Sequence, residues 1–198
     1  MAGGLRVLTL RGPELAYAIL AGQKRVENRS WPVPRSVLEM GGWLALHVGS
    51  QPMTRYVRKH VERALDPARA RNSSYAREAG GYPPRSSIVG LVRISGMHRL
   101  ARGERRENPW ALGPICWEID RAIPIYPPIT SVNGKLGIWL LTRATSICPR
   151  ARRRLYSCLH KARLGIGRRG VRSNYPKPLM RIGRKASQSG SCKRAKRG

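Results

Sequence analysis

Phenylalanine is absent from all 198 residues, and acids are few: ten Asp and Glu stand against 39 Lys and Arg. With its four His neutral, the chain carries a formal net charge of +29. Such a balance disfavours basic partners and favours polyanions, of which nucleic acid is the commonest. Acids are missing altogether from residues 144–198, which hold 17 Lys and Arg. Long apolar runs are missing too. No window approaches the roughly 18 apolar residues that span a membrane. The first apolar stretch is broken by Arg6, Arg11 and Glu14, so no secretory signal is expected. The basic tail lacks a sustained apolar face, which makes a membrane surface the weaker partner. Cys116, Cys148, Cys158 and Cys192 form no Cys-x-x-Cys pair, and no His lies at ligand spacing from one. That leaves neither a disulfide framework nor a zinc motif. The expectation is a cytoplasmic or nuclear, non-secreted monomer with reduced thiols, no metal and no cofactor.

What is present divides at Arg143. Before it, apolar segments alternate with turn signals. Leu5–Leu10 reads as a first strand. Pro13 suits the first turn of a helix, and Leu15, Ala16, Ile19 and Leu20 recur at helical spacing up to a stop at Gly22. Lys24–Trp31 reads as extended, closed by Pro32 and Pro34. Trp43–Val48 and Ser87–Ile94 are strands, and Thr54–Leu65 is a helix. Asp66–Arg85 is rich in Arg, Ala, Gly and Pro and reads as an exposed irregular insertion with at most a turn of helix. Pro114–Ile119 is a strand. Ile123–Ile129 is punctuated by proline, which confines it to a sheet edge or to irregular chain. Leu136–Leu141 is the last strand. Short strands with one or two flanking helices predict an α+β fold, a small mixed β-barrel, over residues 1–143. Residues 144–198 read as a basic, disordered tail, with a short helix over Leu155–Leu164 that nothing pairs with. The tail fits either a basic arm or an extension without selected structure.

The densest chemistry lies in Gly22-Gln23-Lys24-Arg25-Val26-Glu27-Asn28-Arg29-Ser30-Trp31. In a strand, residues two apart share a face. Glu27, Arg29 and Trp31 therefore line one side together. A carboxylate, a guanidinium and an indole are costly to bury and useful at the mouth of a cleft.

Six blocks in order carry a resemblance to the ASCH domain family of the PUA-like superfamily. They are Leu8-Thr9-Leu10-Arg11-Gly12-Pro13 with its following helix, the Gly22-x-Lys24-x-x-Glu27-x-Arg29-x-Trp31 run, Trp43–Val48, Ile88–Val92, Asn108-Pro109-Trp110 with Gly113–Ile119, and Gly134–Trp139. They cover about residues 5–142. The resemblance implies a PUA-like β-barrel that holds RNA or another nucleic acid in a cleft lined by the signature residues. It also implies an enzyme alternative, since some relatives are ribonucleases or amidohydrolases acting on N4-acetylcytidine. In the amidohydrolase branch a Lys, a Thr three residues later and a Glu on a later strand act together. Lys24 matches the first. Glu27 stands at the second, and no acid lies at 90–93 for the third.

Each candidate has a functional and a structural reading. Lys24 is a cleft base, a phosphate contact or a solvated Lys. Glu27 and Arg29 orient a base edge or form an ion pair that holds the strand. Trp31 stacks on a base or joins the core. Trp110, between Asn108-Pro109 and Gly113-Pro114, reads as a loop residue and a stacker. Arg11 and Lys135 are phosphate contacts. Trp43, Trp117 and Trp139 read as core, and His47 as a half-buried His with satisfied nitrogens. Three functions follow. The first is an RNA-binding module using Arg11, Lys24, Glu27, Arg29, Trp31, Trp110 and Lys135, helped by the tail. The second is a metal-independent hydrolase with Lys24 and Glu27 as its acid–base pair. The third is an adaptor in an RNA-processing or transcription complex.

Overall fold

Strands β1 (Arg6–Leu10) and β3 (Trp43–Val48) are mostly apolar because both of their faces are covered, with Arg6 and Thr9 of β1 only partly buried and β3 buried throughout. The computed structural model describes residues 4–142, 145 and 147–165. In chain order the remaining elements are α1 (Pro13–Leu20), β2 (Val26–Arg29), α2 (Arg35–Glu39), α3 (Arg55–Ala64), α4 (Pro67–Arg71), α5 (Ser74–Ala79), β4 (Ser87–Arg99), α6 (Glu104–Glu107), β5 (Ile115–Ile129), β6 (Ile138–Leu140) and α7 (Pro149–Arg163). The strands form one mixed sheet in the order β2-β5-β4-β3-β1-β6. Only β1 and β3 run parallel; the other neighbours are antiparallel. Register shifts along the long β4–β5 pair bend the sheet into a curled half-barrel. The expected α+β class and small barrel are found.

One face of the sheet presents Leu8, Leu10, Leu44 and Leu46 to Ala16, Ile19 and Leu20 of α1. The helix comes close because Gly90 lies beneath it. A Cβ there would crowd the carbonyl of Ile123 at 2.7 Å and the Leu20 side chain at 2.9 Å. The other face presents Val7, Ala45, Leu91 and Ile125. Trp117 is fully buried, and Trp43 and Trp139 nearly so, as expected. His47 is completely buried rather than half-buried, and both ring nitrogens are satisfied. Its Nε2–H donates to the Val132 carbonyl at 2.9 Å, so Nδ1 accepts from the Thr9 hydroxyl at 3.3 Å. That hydroxyl in turn accepts from Trp139 Nε1 at 3.0 Å.

The structure corrects several readings of the chain's elements. Residues 66–85 are not irregular throughout. Asp66 caps α4 through Ala68 and Arg69, Ser73 caps α5 through Ala76, and Ala70 and Tyr75 enter the core. Helix α2 had no strong apolar period and was not expected. Pro114–Ile119 and Ile123–Ile129 are one strand, β5. Its proline-rich half is an edge on one side, since β2 pairs only with Ile115–Glu118.

The largest correction is α7. The short helix expected over Leu155–Leu164 is found, but it does not lack a partner: Leu155, Leu159 and Ala162 recur along one face and join the core cluster that contains Val7, Ala45, Leu91 and Ile125. Tyr156 accepts the Leu5 amide at 3.2 Å, and Arg152 donates to the Thr142 carbonyl at 2.9 Å. The packed body therefore runs past Arg143. The rest of the expected tail, 166–198, lies outside the described residues. Among the described residues, no helix is long and apolar enough to cross a membrane.

Candidate nucleic-acid interface

The chain leaves α1 through Gly22, whose φ of +79° turns it sharply. The amides of Gln23 and Lys24 both donate to the Ala18 carbonyl, at 2.9 and 3.0 Å. The Gln23 side chain then brackets Asp66. It donates to the Asp66 carbonyl at 2.8 Å and accepts the Asp66 amide at 2.9 Å. The junction of α3 and α4 is thereby held against the signature turn.

Lys24, only 2% exposed, folds back over the strand. Its Nζ donates to the Val26 carbonyl and to Glu27 Oε2, the latter at 2.7 Å. Glu27 Oε1 lies 3.0 Å from Arg29 Nη2. Arg29 also donates to the Thr9 carbonyl at 3.1 Å and sits over the rings of Trp31 and Trp117, 6.0 Å from each centroid. The expected shared face of Glu27, Arg29 and Trp31 is present, and Lys24 joins it from the preceding turn. Burial alone would raise the Glu27 carboxyl; the charges and hydrogen bonds of Lys24 and Arg29 outweigh it and hold the group below the usual carboxylate range.

Beside this cluster lies a pocket of about 130 Å³. Lys24, Glu27 and Asn28 line one side, Val57 and His60 of α3 another, and Trp110 and Leu112 the third. That is smaller than the ~300 Å³ at the low end of ligand pockets, so it admits one ring-sized group. Trp110 is not an exposed loop stacker. It is 4% exposed, part of the pocket wall, and meets the His60 ring edge-on with centroids 6.2 Å apart. Asn28 fastens that wall. Its Oδ1 accepts from Leu112 and Gly113 at 2.8 and 3.0 Å, and its Nδ2 donates to the Trp110 carbonyl at 2.9 Å. Arg11 and Lys135 are exposed, and Trp31 is half-buried. A larger pocket of about 230 Å³, between Tyr17, Leu65, Pro67 and Tyr82, holds none of the expected residues.

Asn28 and His60 were not singled out in the sequence. Asn28 stands inside the signature, where an uncharged amide among charged neighbours gives no sign in the sequence of the loop it holds. His60 faces the pocket only because α3 follows the helical period from Val57. His60 Nε2 is buried without a partner. Burial is the main cause that holds this imidazole below its ordinary pKa. A hydrogen bond to the Pro109 carbonyl opposes it, and the charges of Lys24, Arg63 and Arg105 add to it. With the Pro109 bond made by Nδ1–H, the neutral ring keeps Nε2 as an acceptor.

Comparison with family models and with curated proteins gives no match. Among solved structures, the chain is similar to a crystal structure of a mutant ZmASCH protein from Zymomonas mobilis. The identity is 16%, the TM-score 0.38, and the likeness covers 71% of this chain and 89% of that one.

The chemistry available here follows from the residues themselves. A carboxylate whose pKa is depressed and whose two oxygens are both engaged is a poor proton acceptor near neutral pH. The Lys24–Glu27 pair is better suited to hold a fixed pattern of charge than to pass a proton. Beside it the pocket offers one unpartnered acceptor, His60 Nε2, under a rim of cations.

Proposed function

We propose that this is an ASCH-like nucleic-acid-binding domain that holds single-stranded RNA across α3 and the β4–β5 connection, with one base edge at the pocket. The observation that carries the reading is the pocket itself. One wall is the Lys24–Glu27 pair, its free acceptor is His60 Nε2, and the charges of Arg63 and Arg105 act on that ring. Exposed cations continue outward on both sides: Arg55, Arg58 and Lys59 on α3, and Arg99 at the end of β4 with Arg102 and Arg106 on the connection. Backbone phosphates satisfy such a rim, while an unstacked base can offer an amino group to His60. Arg11, Trp31 and Lys135 extend the contact surface, and Arg29 holds Glu27 in place.

The test is a salt titration of affinity for single-stranded RNA, duplex RNA and single-stranded DNA. It uses the full chain and an Arg63→Ala/Arg105→Ala variant. Two lost phosphate contacts should lower the salt slope by about 1.4, from roughly 0.7 per contact on a single strand. His60→Ala should narrow the preference between bases and leave the slope alone. An unchanged slope and unchanged preference in these variants would place binding elsewhere. The hydrolase alternative rests on Lys24 and Glu27 sharing one pocket wall. It requires RNA cleavage or nucleoside hydrolysis that persists through purification and disappears in Lys24→Met.

A further inference from the structure

The antiparallel register of β4 and β5 sets His98 directly opposite Cys116. Directly opposed residues share a face of the sheet, and Glu118, two residues beyond Cys116, shares it too. The connection that follows β4 then brings Glu104 of α6 back over the same spot. The Ala101 amide fixes its carboxylate by donating to Oε2 at 2.9 Å. Donor atoms of His98, Glu104 and Cys116 all lie within 4.8 Å of one another.

The second ring nitrogen of His98 is also accounted for. Nδ1 lies 3.0 Å from Glu118 Oε1, while Nε2 lies 2.7 Å from Glu104 Oε1. With Nδ1–H donated to Glu118, Nε2 presents its lone pair toward Glu104 and Cys116. A carboxylate behind an imidazole is the usual way a metal-binding His is oriented. In the absence of a cation, a proton on Nε2 bridges His98 to Glu104. A dication takes the place of that proton.

The wider setting agrees. Acids are scarce in this chain, yet two of the ten converge on a single imidazole. One carboxylate and one thiolate balance a dication, so the ion with its direct ligands is neutral inside a strongly basic protein. Cys116 is fully buried, whereas His98 and Glu104 have side chains 33% and 17% exposed, which gives an ion a way in. The mixed nitrogen, oxygen and sulfur donor set suits zinc far better than magnesium or calcium.

We propose that His98, Glu104 and Cys116 bind one Zn²⁺, with Glu118 orienting the imidazole and water completing a four-coordinate site. Binding releases the thiol proton and the Nε2 proton to solvent. The ion ties α6 to β4 and β5. It thereby steadies the connection that carries Arg105 and Trp110 to the pocket, but it does not depend on what that pocket binds.

The experiment is a titration of the reduced full-length chain with Co²⁺, a spectroscopic probe for zinc sites. One equivalent should give a sulfur-to-cobalt charge-transfer band and tetrahedral ligand-field bands, and Zn²⁺ should displace it. The signal should survive Cys148→Ser/Cys158→Ser/Cys192→Ser and vanish in Cys116→Ser. Should Cys116→Ser fail to fold by circular dichroism, Glu118→Gln decides, with an expected loss of roughly 10- to 100-fold in affinity. No sulfur-to-cobalt band, a band that persists in folded Cys116→Ser, or an unchanged affinity in Glu118→Gln overturns the proposal.

Discussion

Carboxylates meet cations at two places on this sheet, and the two places differ in depth. At β2, Glu27 is 6% exposed and locked between Lys24 and Arg29. Toward the β4–β5 end, Asp120 faces Arg93 while Glu104 and Glu118 face His98, all of them partly open to solvent. The partners are chemically alike, but water is not. A charge sealed from water depends on its partners, whereas a half-exposed one falls back on solvent. The first cluster is therefore a support of the fold on which a binding surface is built. The second can rearrange around a proton or an ion without loss of the sheet.

Glu27→Ala should have the largest effect. It strands the Lys24 and Arg29 charges in the core. Breaking a buried pair from one side costs about 3–5 kcal/mol. Urea unfolding should show a loss of that size with an unchanged m-value. A loss below about 1 kcal/mol would make the two clusters equivalent. Replacing both partners, as in Lys24→Met/Glu27→Leu, should restore much of the stability, since apolar pairs of similar volume often match a buried ion pair.

A hydrophobic yardstick comes next. Leu155 on α7 is fully buried against the sheet face opposite α1. Leu155→Ala should cost about 2–5 kcal/mol. Truncation after 148 should unfold the body, and truncation after 165 should leave its melting transition in place. If the chain ending at 148 melts like the full chain, α7 is not part of the core.

These two regions also mark what was legible in the sequence. The strand Trp43–Val48 and the shared face of Glu27, Arg29 and Trp31 follow from local periodicity, and both were found. Helix α7 was legible as a short helix over Leu155–Leu164, but not as part of the core. Its apolar stripe is only Leu155, Leu159 and Ala162 among a crowd of Arg and Lys, and the sheet face that receives it is not visible in the sequence. Trp110 looked exposed because its loop is rich in turn residues, but Asn28 pulls that loop onto β2. The pairing of His98 with Cys116 was illegible for another reason. It depends on the register of β4 with β5, which bulges set, and no spacing in the sequence reports it.

Acid should probe the buried groups by pH. Burial holds His47 below its ordinary pKa of 6.5, against its hydrogen bond to the Val132 carbonyl, and ion pairing holds Glu27 below 4.5. For each, the folded value lies below the unfolded one. Their contribution is complete above the unfolded pKa and lost as pH falls through the folded value. These two groups should thus make stability decline below about pH 6.5, where His98, raised by Glu104 and Glu118 against its burial, works the other way, and again, more steeply, below about pH 4.5. The second decline should flatten in Lys24→Met/Glu27→Leu, which has no carboxylate left there to protonate. A decline of equal steepness in that variant would move the acid sensitivity to other carboxylates.

The smallest effect is expected at Asp120. Its ion pair with Arg93 joins side chains 28% and 35% exposed. The hydrogen bonds to Asp120 raise the Arg93 pKa, yet exposure lets water screen and replace them. Asp120→Asn should change stability by about 0–1 kcal/mol, and added salt should shrink even that difference. A double-mutant cycle with Arg93→Met measures the coupling directly, free of the packing each side chain contributes. Coupling above about 2 kcal/mol would mean that the β4–β5 end excludes water as β2 does. In that case depth would no longer distinguish the two clusters, and the difference would lie in how many cations each carboxylate faces.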